Sequence, residues 1–236
     1  MTRRAARTAR LLRGLVVALL IQPIVAASAQ VVAGNVDVGE GVRIHYVEAG
    51  DPGAFVTVLL VPGWSTSSAI WRDQIASLSA TSRVVAIDPR SQGESTVSLT
   101  ANTPEQRARD LRAVVQSLRL TNVVLVGWSQ GVQDLAAYAA AYQGEGVAGY
   151  VLVDSTVGSG PAAAVQRPRQ LEQQLARMAL YVRHQKEFLR GMMEAIITSP
   201  RAREPIATYS SIRSRARGEV MIASIMPRRK SVWWRT

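Results

Sequence analysis

Four short apolar segments constrain the fold of this chain more than any other feature of its sequence. They are FVTVLLVPG at Phe55–Gly63, RVVAIDPR at Arg83–Arg90, NVVLVG at Asn122–Gly127 and GYVLVDS at Gly149–Ser155. A strand with one face in water alternates polar and apolar residues, whereas these segments are apolar almost throughout. They therefore predict strands that are buried on both faces. A fifth segment, RIHYVEAG at Arg43–Gly50, does alternate and predicts a half-buried strand.

Helical patterns lie between these predicted strands. Trp71–Leu78 predicts a short helix, and Gln130–Tyr142 predicts an alanine-rich one. Between them, Thr103 predicts an N-cap that is followed by Pro104 in the first turn and by Gln106 as a capping-box residue. Strands that alternate with helices of this length form βαβ units. The sequence therefore predicts an α/β fold with a mostly parallel sheet flanked by helices.

Residues 1–29 have the features of a secretory signal peptide. They contain five arginines and no acidic residue, an apolar run at Leu15–Ala26 and a small-residue site at Ala27–Ala29. The alternative is an uncleaved membrane anchor, but the apolar run is short and is broken by Gln22 and Pro23. We therefore expect cleavage near Ala29, export to the periplasm or the medium, and no stable membrane span in the mature chain.

The rest of the chain divides into two parts of different character. Residues 30–157 contain the predicted strands and form the predicted α/β core. Residues 158–236 contain two helical patterns and an irregular basic tail; the first pattern ends at Ser199 and Pro200, and the second runs roughly from Pro205 to Ile225. The first pattern carries an apolar stripe, which comprises Leu171, Leu175, Met178, Val182, Leu189, Met193 and Ile196. This part predicts a helical lid over an active site or, as the alternative, a plain packed helix pair.

Charge and composition exclude several classes of function. The net charge is +11, but residues 30–157 carry eight basic and twelve acidic side chains, so the positive excess lies in the leader and in the tail. Because the tail has no recognition motif for nucleic acid, we expect no nucleic-acid partner. Cysteine is absent, which excludes disulfides, thiolate nucleophiles and cysteine metal sites. The sequence shows no metal-binding cluster and no nucleotide-binding loop, so no cofactor is expected.

The motif GWSQG, residues 127–131, joins a predicted buried strand to the alanine-rich helix. A G-x-S-x-G motif gains weight in this setting, because a nucleophilic serine must lie on a sharp turn that leaves almost no room for neighbouring side chains. Gly127 and Gly131 supply that room. The predicted turn exposes the Ser129 hydroxyl at a helix N-terminus, which favours developing negative charge. The motif in this context predicts that Ser129 is a catalytic nucleophile.

Two further motifs extend the pattern to half of the chain. LLVPGWSTSSAIW resembles the third strand and oxyanion loop of the α/β-hydrolase family. VVAIDPRSQGES resembles the fourth strand and the D-x-R-x-x-G-x-S loop of that family, matched by Asp88, Arg90, Gly93 and Ser95. With GWSQG, the motifs occur in family order, so residues 40–157 resemble the front half of an α/β hydrolase. The resemblance implies an α/β-hydrolase fold, in which Asp88–Ser95 braces the loops.

The resemblance also implies an acyl-transfer site. The main-chain N–H groups of Trp64 and Gln130 would form an oxyanion hole around a tetrahedral intermediate. Trp64 and Trp128 would line the substrate pocket, although a packing role suits Trp128 equally well. Dehalogenases and epoxide hydrolases of this fold carry aspartate at the position of Ser129, so the serine favours small ester or related acyl substrates.

The acid and the base of a triad are assigned by family order. This order places both after the nucleophile, which selects Asp154 as the acid and His184 as the base. The other histidine of the chain, His45, lies upstream within the predicted strand RIHYVEAG. His184 is two residues from Val182 and thus turned about 200° from the apolar stripe, so a solvated surface histidine is the alternative interpretation.

The end of the chain departs from the family pattern. It reads PRRKSVWWRT where the family has apolar strands. We therefore expect an α/β-hydrolase fold lacking its last strands, in which GYVLVDS is an exposed apolar edge and the protein is marginally stable or depends on a partner. The alternatives to a working esterase are a catalytically impaired remnant or binding module, a perhydrolase- or haloperoxidase-like enzyme, and a basic surface-binding protein. The sequence does not specify an oligomeric state.

Overall fold

The structure, a computed structural model, describes residues 30–155 and 183–196, together with positions 173, 176 and 181. The predicted signal peptide, residues 156–172, the predicted second helix of the lid and the basic tail lie outside the described residues. The expectations for those segments stay predictions.

Six strands of the described residues form one sheet. They are β1 (Val32–Asp37), β2 (Arg43–Ala49), β3 (Thr57–Val61), β4 (Arg83–Ile87), β5 (Val123–Trp128) and β6 (Val147–Val153). Their order across the sheet is β1-β2-β4-β3-β5-β6. The pairs that involve β1 or β2 are antiparallel, and the other three pairs are parallel. The predicted α/β architecture with a mostly parallel sheet is confirmed.

Helices connect the strands and flank the sheet. They are α1 (Arg72–Leu78), which follows a 3₁₀ turn at Ser68–Trp71, then α2 (Pro104–Ser117), α3 (Gln130–Tyr142) and α4 (Gln185–Ile196). The bounds predicted for α3 are confirmed. Thr103 caps α2 as predicted, because its side chain accepts a hydrogen bond from the Gln106 N–H over 3.3 Å. The capping box itself is not completed, since Gln106 Oε1, the oxygen that would accept from the Thr103 N–H, accepts from the Arg109 guanidinium instead.

Buried apolar side chains lie on both faces of the sheet. On one face, Leu111 of α2 and Leu135 of α3 belong to the same core cluster as Leu125 of β5. On the other face, Ile75 of α1 clusters with Leu60 of β3. All five residues of β3 are buried, which confirms the prediction that this segment is covered on both sides.

The strand β1 was not predicted from the sequence. Its segment, VAGNVD, has one buried residue, Val36, so it carries too few apolar residues to signal a strand. Gly34 of β1 lies opposite Tyr46 of β2, and a Cβ atom on Gly34 would come within 2.6 Å of the Tyr46 hydroxyl oxygen. The tyrosine ring therefore covers the glycine, and β1 forms because of this pairing rather than because of its own residue preferences.

β6 is an edge strand of the described sheet, where it pairs with β5 and with no other described strand. Four consecutive residues of β6, Tyr150–Val153, expose between 37% and 48% of their surface. The predicted exposed apolar edge is confirmed for the residues that the structure describes. Its expected consequence for stability stays a prediction.

The first predicted lid helix is interrupted at His184. The apolar stripe continues through this position, but His184 is not helical and α4 begins at Gln185. The first hydrogen bond of α4 runs from the Phe188 N–H to the His184 carbonyl over 2.9 Å. The stripe residues Leu189 and Met193 are buried. None of the helices among the described residues combines the length and the hydropathy needed to cross a bilayer.

Candidate active site

Ser129 lies on a tight turn between β5 and α3. Its backbone has φ 53° and ψ −116°, in the left-handed half of conformational space that residues with a side chain rarely adopt. The turn is fixed from two sides, because the Ser129 N–H donates to the Val153 carbonyl over 3.0 Å and the Ser129 carbonyl accepts from the Val132 N–H over 3.1 Å. The serine is half-buried, so its hydroxyl lies at the surface end of a core strand.

Glycines surround the turn because its main-chain segments approach one another too closely for side chains. A Cβ on Gly127 would lie 2.7 Å from the Gly131 main chain, and a Cβ on Gly131 would lie 2.5 Å from the Val61 carbonyl oxygen. A Cβ on Gly63 would lie 3.0 Å from the Cβ of Ser129. The loop that follows β3 therefore packs directly onto Ser129, which brings Trp64, the next residue of that loop, beside the turn.

The two predicted oxyanion donors thus come from elements that meet at Ser129. Trp64 follows Gly63 in the loop after β3, and Gln130 is the first residue of α3. The N–H groups of a first helical turn have no partner within the helix and point outward along its axis. Both residues therefore lie beside Ser129, and their role as oxyanion donors stays a prediction.

Trp64 also contacts the segment that was predicted to form a lid. Its ring lies 4.8 Å from the ring of Tyr181 and 6.3 Å from that of Phe188, measured between centroids. The Tyr181 hydroxyl is 3.3 Å from Ser65 Oγ, and it accepts a hydrogen bond from Gln185 Nε2 over 2.6 Å. The described part of the lid therefore packs on the loop that carries the first predicted donor.

Trp128 has different surroundings from Trp64. Its ring would meet a Cβ on Gly63 at 2.9 Å, and it packs against the core cluster that contains Trp71 and Ile75. These contacts agree with the packing role that the sequence left open for Trp128. Its predicted role in lining the pocket stays a prediction.

The loop that begins at Asp88 makes a network of structural hydrogen bonds. The Asp88 carboxylate accepts from the Ser68 N–H over 2.6 Å and from the Glu94 N–H over 2.8 Å, and it lies 3.1 Å from His45 Nδ1. Burial opposes the ionisation of Asp88, but the hydrogen bonds from His45, Glu94 and Ser68 hold its pKa below the usual value. In turn, the hydrogen bond to Asp88 raises the pKa of His45. These contacts fit the bracing role expected for Asp88–Ser95.

His45 lies too far from Ser129 to act on it. It belongs to β2, as predicted, and the sheet order places β4 and β3 between β2 and β5. Strand neighbours are about 4.8 Å apart, so three spacings separate the two strands by about 14 Å. A general base must come within hydrogen-bond reach of the proton that it removes. The structure therefore excludes His45 as the base for Ser129.

The structure describes both the predicted acid and the predicted base, but neither forms a hydrogen bond to Ser129. Asp154 is exposed and directly follows Val153, whose carbonyl accepts the Ser129 N–H, so it lies at the same edge of the sheet as Ser129. His184 is exposed at the start of α4. Among the described residues, no side chain makes a hydrogen bond to the Ser129 hydroxyl, and Asp154 and His184 do not bond to each other. Their roles stay predictions.

A layer of buried charged side chains lies beneath the turn, between α2 and α3. Arg90 binds Asp110 through two hydrogen bonds of 2.5 Å. Arg107 donates to Gln130 Oε1 over 2.8 Å and lies 3.7 Å from the Asp134 carboxylate. Burial raises the pKa of Asp134 to about 7, although Arg107 opposes this shift. Full removal from water thus outweighs one cation that is not in hydrogen-bond contact.

Arg107 and Asp134 were not predicted from the sequence. The signal was available in the helical spacing, because Arg107 precedes the buried Leu111 by four residues and Asp134 follows Gln130 by four. A charged side chain on the apolar face of a helix is buried only when it has a polar or oppositely charged partner. Within the described residues, no group of three or more histidine, aspartate or glutamate side chains is arranged to hold a metal ion.

The chain is similar in sequence to known hydrolases. A model of the alpha/beta hydrolase family matches residues 58–232. Among curated proteins, the bifunctional esterase/perhydrolase of Acinetobacter calcoaceticus is 36% identical over 123 residues. That alignment covers 52% of this chain and 44% of the relative, so it spans less than half of the relative's length.

Solved structures with a similar fold include an esterase and a bromoperoxidase. The esterase, from Rhodococcus sp. ECU1013, has a TM-score of 0.65 and 24% identity in an alignment that covers 84% of this chain and 72% of that one. The bromoperoxidase, from Bacillus anthracis, has a TM-score of 0.67 and 20% identity, with coverage of 82% and 72%. At these identities the likeness concerns the fold.

Proposed function

We propose, from the premise that this chain belongs to the alpha/beta hydrolase family, that it hydrolyses small esters or related acyl compounds with Ser129 as nucleophile. The observation that carries the proposal is the backbone of Ser129. A non-glycine residue at φ 53° between a buried strand and a helix is strained, and such strain is retained where function requires it. The turn lifts the hydroxyl above the carboxyl ends of the parallel strands, where active sites of open α/β sheets lie.

The proposed reaction has two steps. In the first, Ser129 Oγ attacks the acyl carbon, the ester C–O bond breaks, and the alcohol leaves with the proton that the serine gives up. In the second, water attacks the acyl-enzyme and releases the carboxylic acid together with the free serine. The main-chain N–H groups of Trp64 and Gln130 would stabilise the oxyanion in both steps.

Two versions of the proposal differ in the base. In the first version His184 accepts the serine proton and Asp154 orients the His184 ring. This assignment follows the family order of nucleophile, acid and base. In the second version the chain is a catalytically impaired hydrolase that carries the nucleophile turn without a base.

The decisive experiment combines covalent labelling with turnover. A fluorophosphonate probe should label the folded protein, and Ser129→Ala should abolish the label. The exposed Ser155, at the same edge of the sheet, offers a matched control, and Ser155→Ala should leave labelling intact. Failure of a folded sample to label would overturn the working triad, because a fluorophosphonate reacts with a serine whose proton a base accepts.

Hydrolysis of p-nitrophenyl acetate then separates the two versions. Turnover that is lost in both Ser129→Ala and His184→Ala supports the working triad. The absence of both labelling and turnover in a folded sample supports the impaired version. Turnover that survives His184→Ala shows that another group is the base.

A perhydrolase activity is a second candidate function. It is favoured by the similarity to the Acinetobacter calcoaceticus protein, which is described as a bifunctional esterase/perhydrolase. Peracid formation from acetate and hydrogen peroxide would use the same serine and the same oxyanion donors. The test is whether peracid appears with the wild-type protein and disappears with Ser129→Ala.

A further inference from the structure

A buried arginine lies directly under the Ser129 turn. Arg107, on α2, is 3% exposed, and its Nη1 donates a hydrogen bond to Gln130 Oε1 over 2.8 Å. Gln130 is 4% exposed and is the first residue of α3. The bond is therefore a link, shielded from water, between α2 and the residue that follows Ser129. A shielded hydrogen bond to a charged group is among the stronger kinds.

The conformation of the turn gives this link its importance. A residue with positive φ costs about 1–3 kcal/mol and persists where surrounding contacts fix it. Two main-chain hydrogen bonds fix Ser129, to Val153 and to Val132. The peptide group between Ser129 and Gln130 also depends on where the Gln130 side chain is held. Arg107 holds that side chain in the buried layer.

We infer that Arg107 is a positioning residue for the main-chain N–H of Gln130, an inference that rests on the proposed function of this N–H as an oxyanion donor. A donor that is oriented before charge develops stabilises the oxyanion without reorganising during the reaction. Arg107 does not touch the reacting atoms and acts through Gln130. A displacement of a donor by about 1 Å is enough to lower a rate up to a hundredfold.

The surroundings of Arg107 show why Gln130 is the contact that orients it. Asp134 lies 3.7 Å from Arg107 Nη1, beyond hydrogen-bond distance, and Asp110 is engaged by Arg90. Nε and Nη2 of Arg107 have no hydrogen-bond partner among the described residues. A small cavity lined in part by Arg107, Asp110 and Asp134 adjoins the pair. Gln130 Oε1 is therefore the hydrogen-bond acceptor that holds the Arg107 guanidinium among the described residues.

The test compares four variants with the wild-type protein. Gln130→Met and Arg107→Met each remove the hydrogen bond, Gln130→Glu keeps an acceptor oxygen at the same place, and the double variant Arg107→Met/Gln130→Met completes a cycle. The readout is the rate of fluorophosphonate labelling of Ser129, resolved into a maximal rate constant and a half-saturating concentration. This readout applies whether or not the protein turns over an ester. The corresponding kcat and KM for p-nitrophenyl acetate are measured where turnover exists.

We expect both single methionine variants to lower the maximal rate about tenfold to a hundredfold while the half-saturating concentration changes less than about threefold. Gln130→Glu should keep a rate within about threefold of wild type, and the double variant should be no slower than either single variant. If Arg107 had only a structural role, its loss would lower the amount of folded protein but would leave the maximal labelling rate of the folded fraction unchanged. If Arg107→Met does not fold, the maximal labelling rates of Gln130→Met and Gln130→Glu still show whether the hydrogen bond to Gln130 matters.

Two failures remain distinguishable. If the folded wild-type protein does not label at Ser129, the proposed function fails and this inference fails with it. If the wild-type protein labels and folded Gln130→Met labels at the same maximal rate, the proposed function stands and the positioning role of Arg107 is wrong.

Discussion

At the scale of single residues, the Ser129 turn depends on main-chain atoms that lie almost in contact. Gly131 shows this most clearly, because its Cα faces the Val61 carbonyl rather than the end of a flexible side chain. A side chain can rotate away from an added methyl group, whereas a core strand cannot move without disturbing its neighbours. The glycines of the motif are therefore required by geometry.

We predict that Gly131→Ala destabilises the protein by about 1–3 kcal/mol and abolishes Ser129 labelling. The added Cβ would lie 2.5 Å from the Val61 carbonyl oxygen, which forces α3 away from β3. The measurement is urea unfolding together with fluorophosphonate labelling. Gly149→Ala is the matched control, because nothing lies within 4 Å of its Cβ position, and it should leave both properties unchanged.

Asp134 makes the stability of the protein depend on pH. Its folded-state pKa is raised by burial to about 7 from an ordinary value of 3.8. Between these values the folded protein holds a proton that the unfolded chain has released. The free energy of unfolding should therefore be highest, as far as this group is concerned, below about pH 4 and should fall by up to about 4 kcal/mol as the pH rises through 7.

The matching experiment is the midpoint of urea unfolding measured from about pH 4.5 to pH 6. We expect the midpoint to decrease with pH in the wild-type protein and to change much less in Asp134→Asn. The upper limit of this window avoids His45, whose raised pKa would lower stability in the same direction above about pH 6.5. An equal slope in the two proteins would contradict the assignment to Asp134.

The strand-to-helix turn at Ser129 was predicted from the sequence, whereas Arg107 was missed, because the two features depend on different information. The turn is specified by five consecutive residues, and each glycine in it has a local steric reason. The partner of Arg107 is 23 residues away in sequence, and nothing local shows that α2 and α3 place the two side chains together. Such a contact between two helices can be recognised only once the fold is known.

At the scale of elements, the same distinction separates α3 from β1. The helix α3 was predicted with its observed bounds, since a strand, a tight turn and an alanine-rich segment follow one another. The strand β1 was missed, because it is stabilised by Tyr46 across the sheet rather than by its own apolar residues. The interruption at His184 was also missed, since an apolar stripe shows which face is buried and not whether the backbone is continuous.

β6 is the element most exposed to association with other chains. Val151 and Leu152 point to opposite faces of this edge strand, and they expose 45% and 48% of their surface. An apolar edge strand is a template for pairing with a second chain. We predict that the double variant Val151→Thr/Leu152→Thr aggregates more slowly than wild type, as followed by light scattering, while its unfolding free energy changes by less than about 1 kcal/mol.

Val85→Thr is the control for this prediction. It makes the same chemical change in β4, where Val85 is fully buried. The variant should lose about 1–3 kcal/mol of stability, because a hydroxyl is placed in the core. If the β6 variant lost as much stability as Val85→Thr, its side chains would have to be covered in solution.

At the scale of the whole molecule, the family and the layered architecture followed from sequence because they depend on patterns repeated along the chain. Buried strands that alternate with helices leave few alternatives to a parallel sheet. The location of the acid and the base did not follow, since these residues act across segments that are distant in sequence. Asp154 and His184 therefore remain assignments by family order.

Export is a property of the whole chain, and it stays a proposal. We predict that the chain expressed with residues 1–29 in a Gram-negative host is recovered from the periplasm with Gln30 as its first residue. The measurement is the intact mass of the purified protein. A product in the membrane fraction that retains residues 1–29 would instead support the uncleaved anchor.

The hydrogen bond from the Ser129 N–H to Val153 ties the proposed nucleophile to the outermost strand of the described sheet. Edge strands fray at temperatures at which the centre of a sheet is still intact. The reactivity of Ser129 should therefore be lost on warming before the protein unfolds. We expect thermal inactivation several degrees below the temperature at which the helical circular dichroism is lost. The size of this temperature gap would report how much earlier the β6 edge opens than the rest of the sheet.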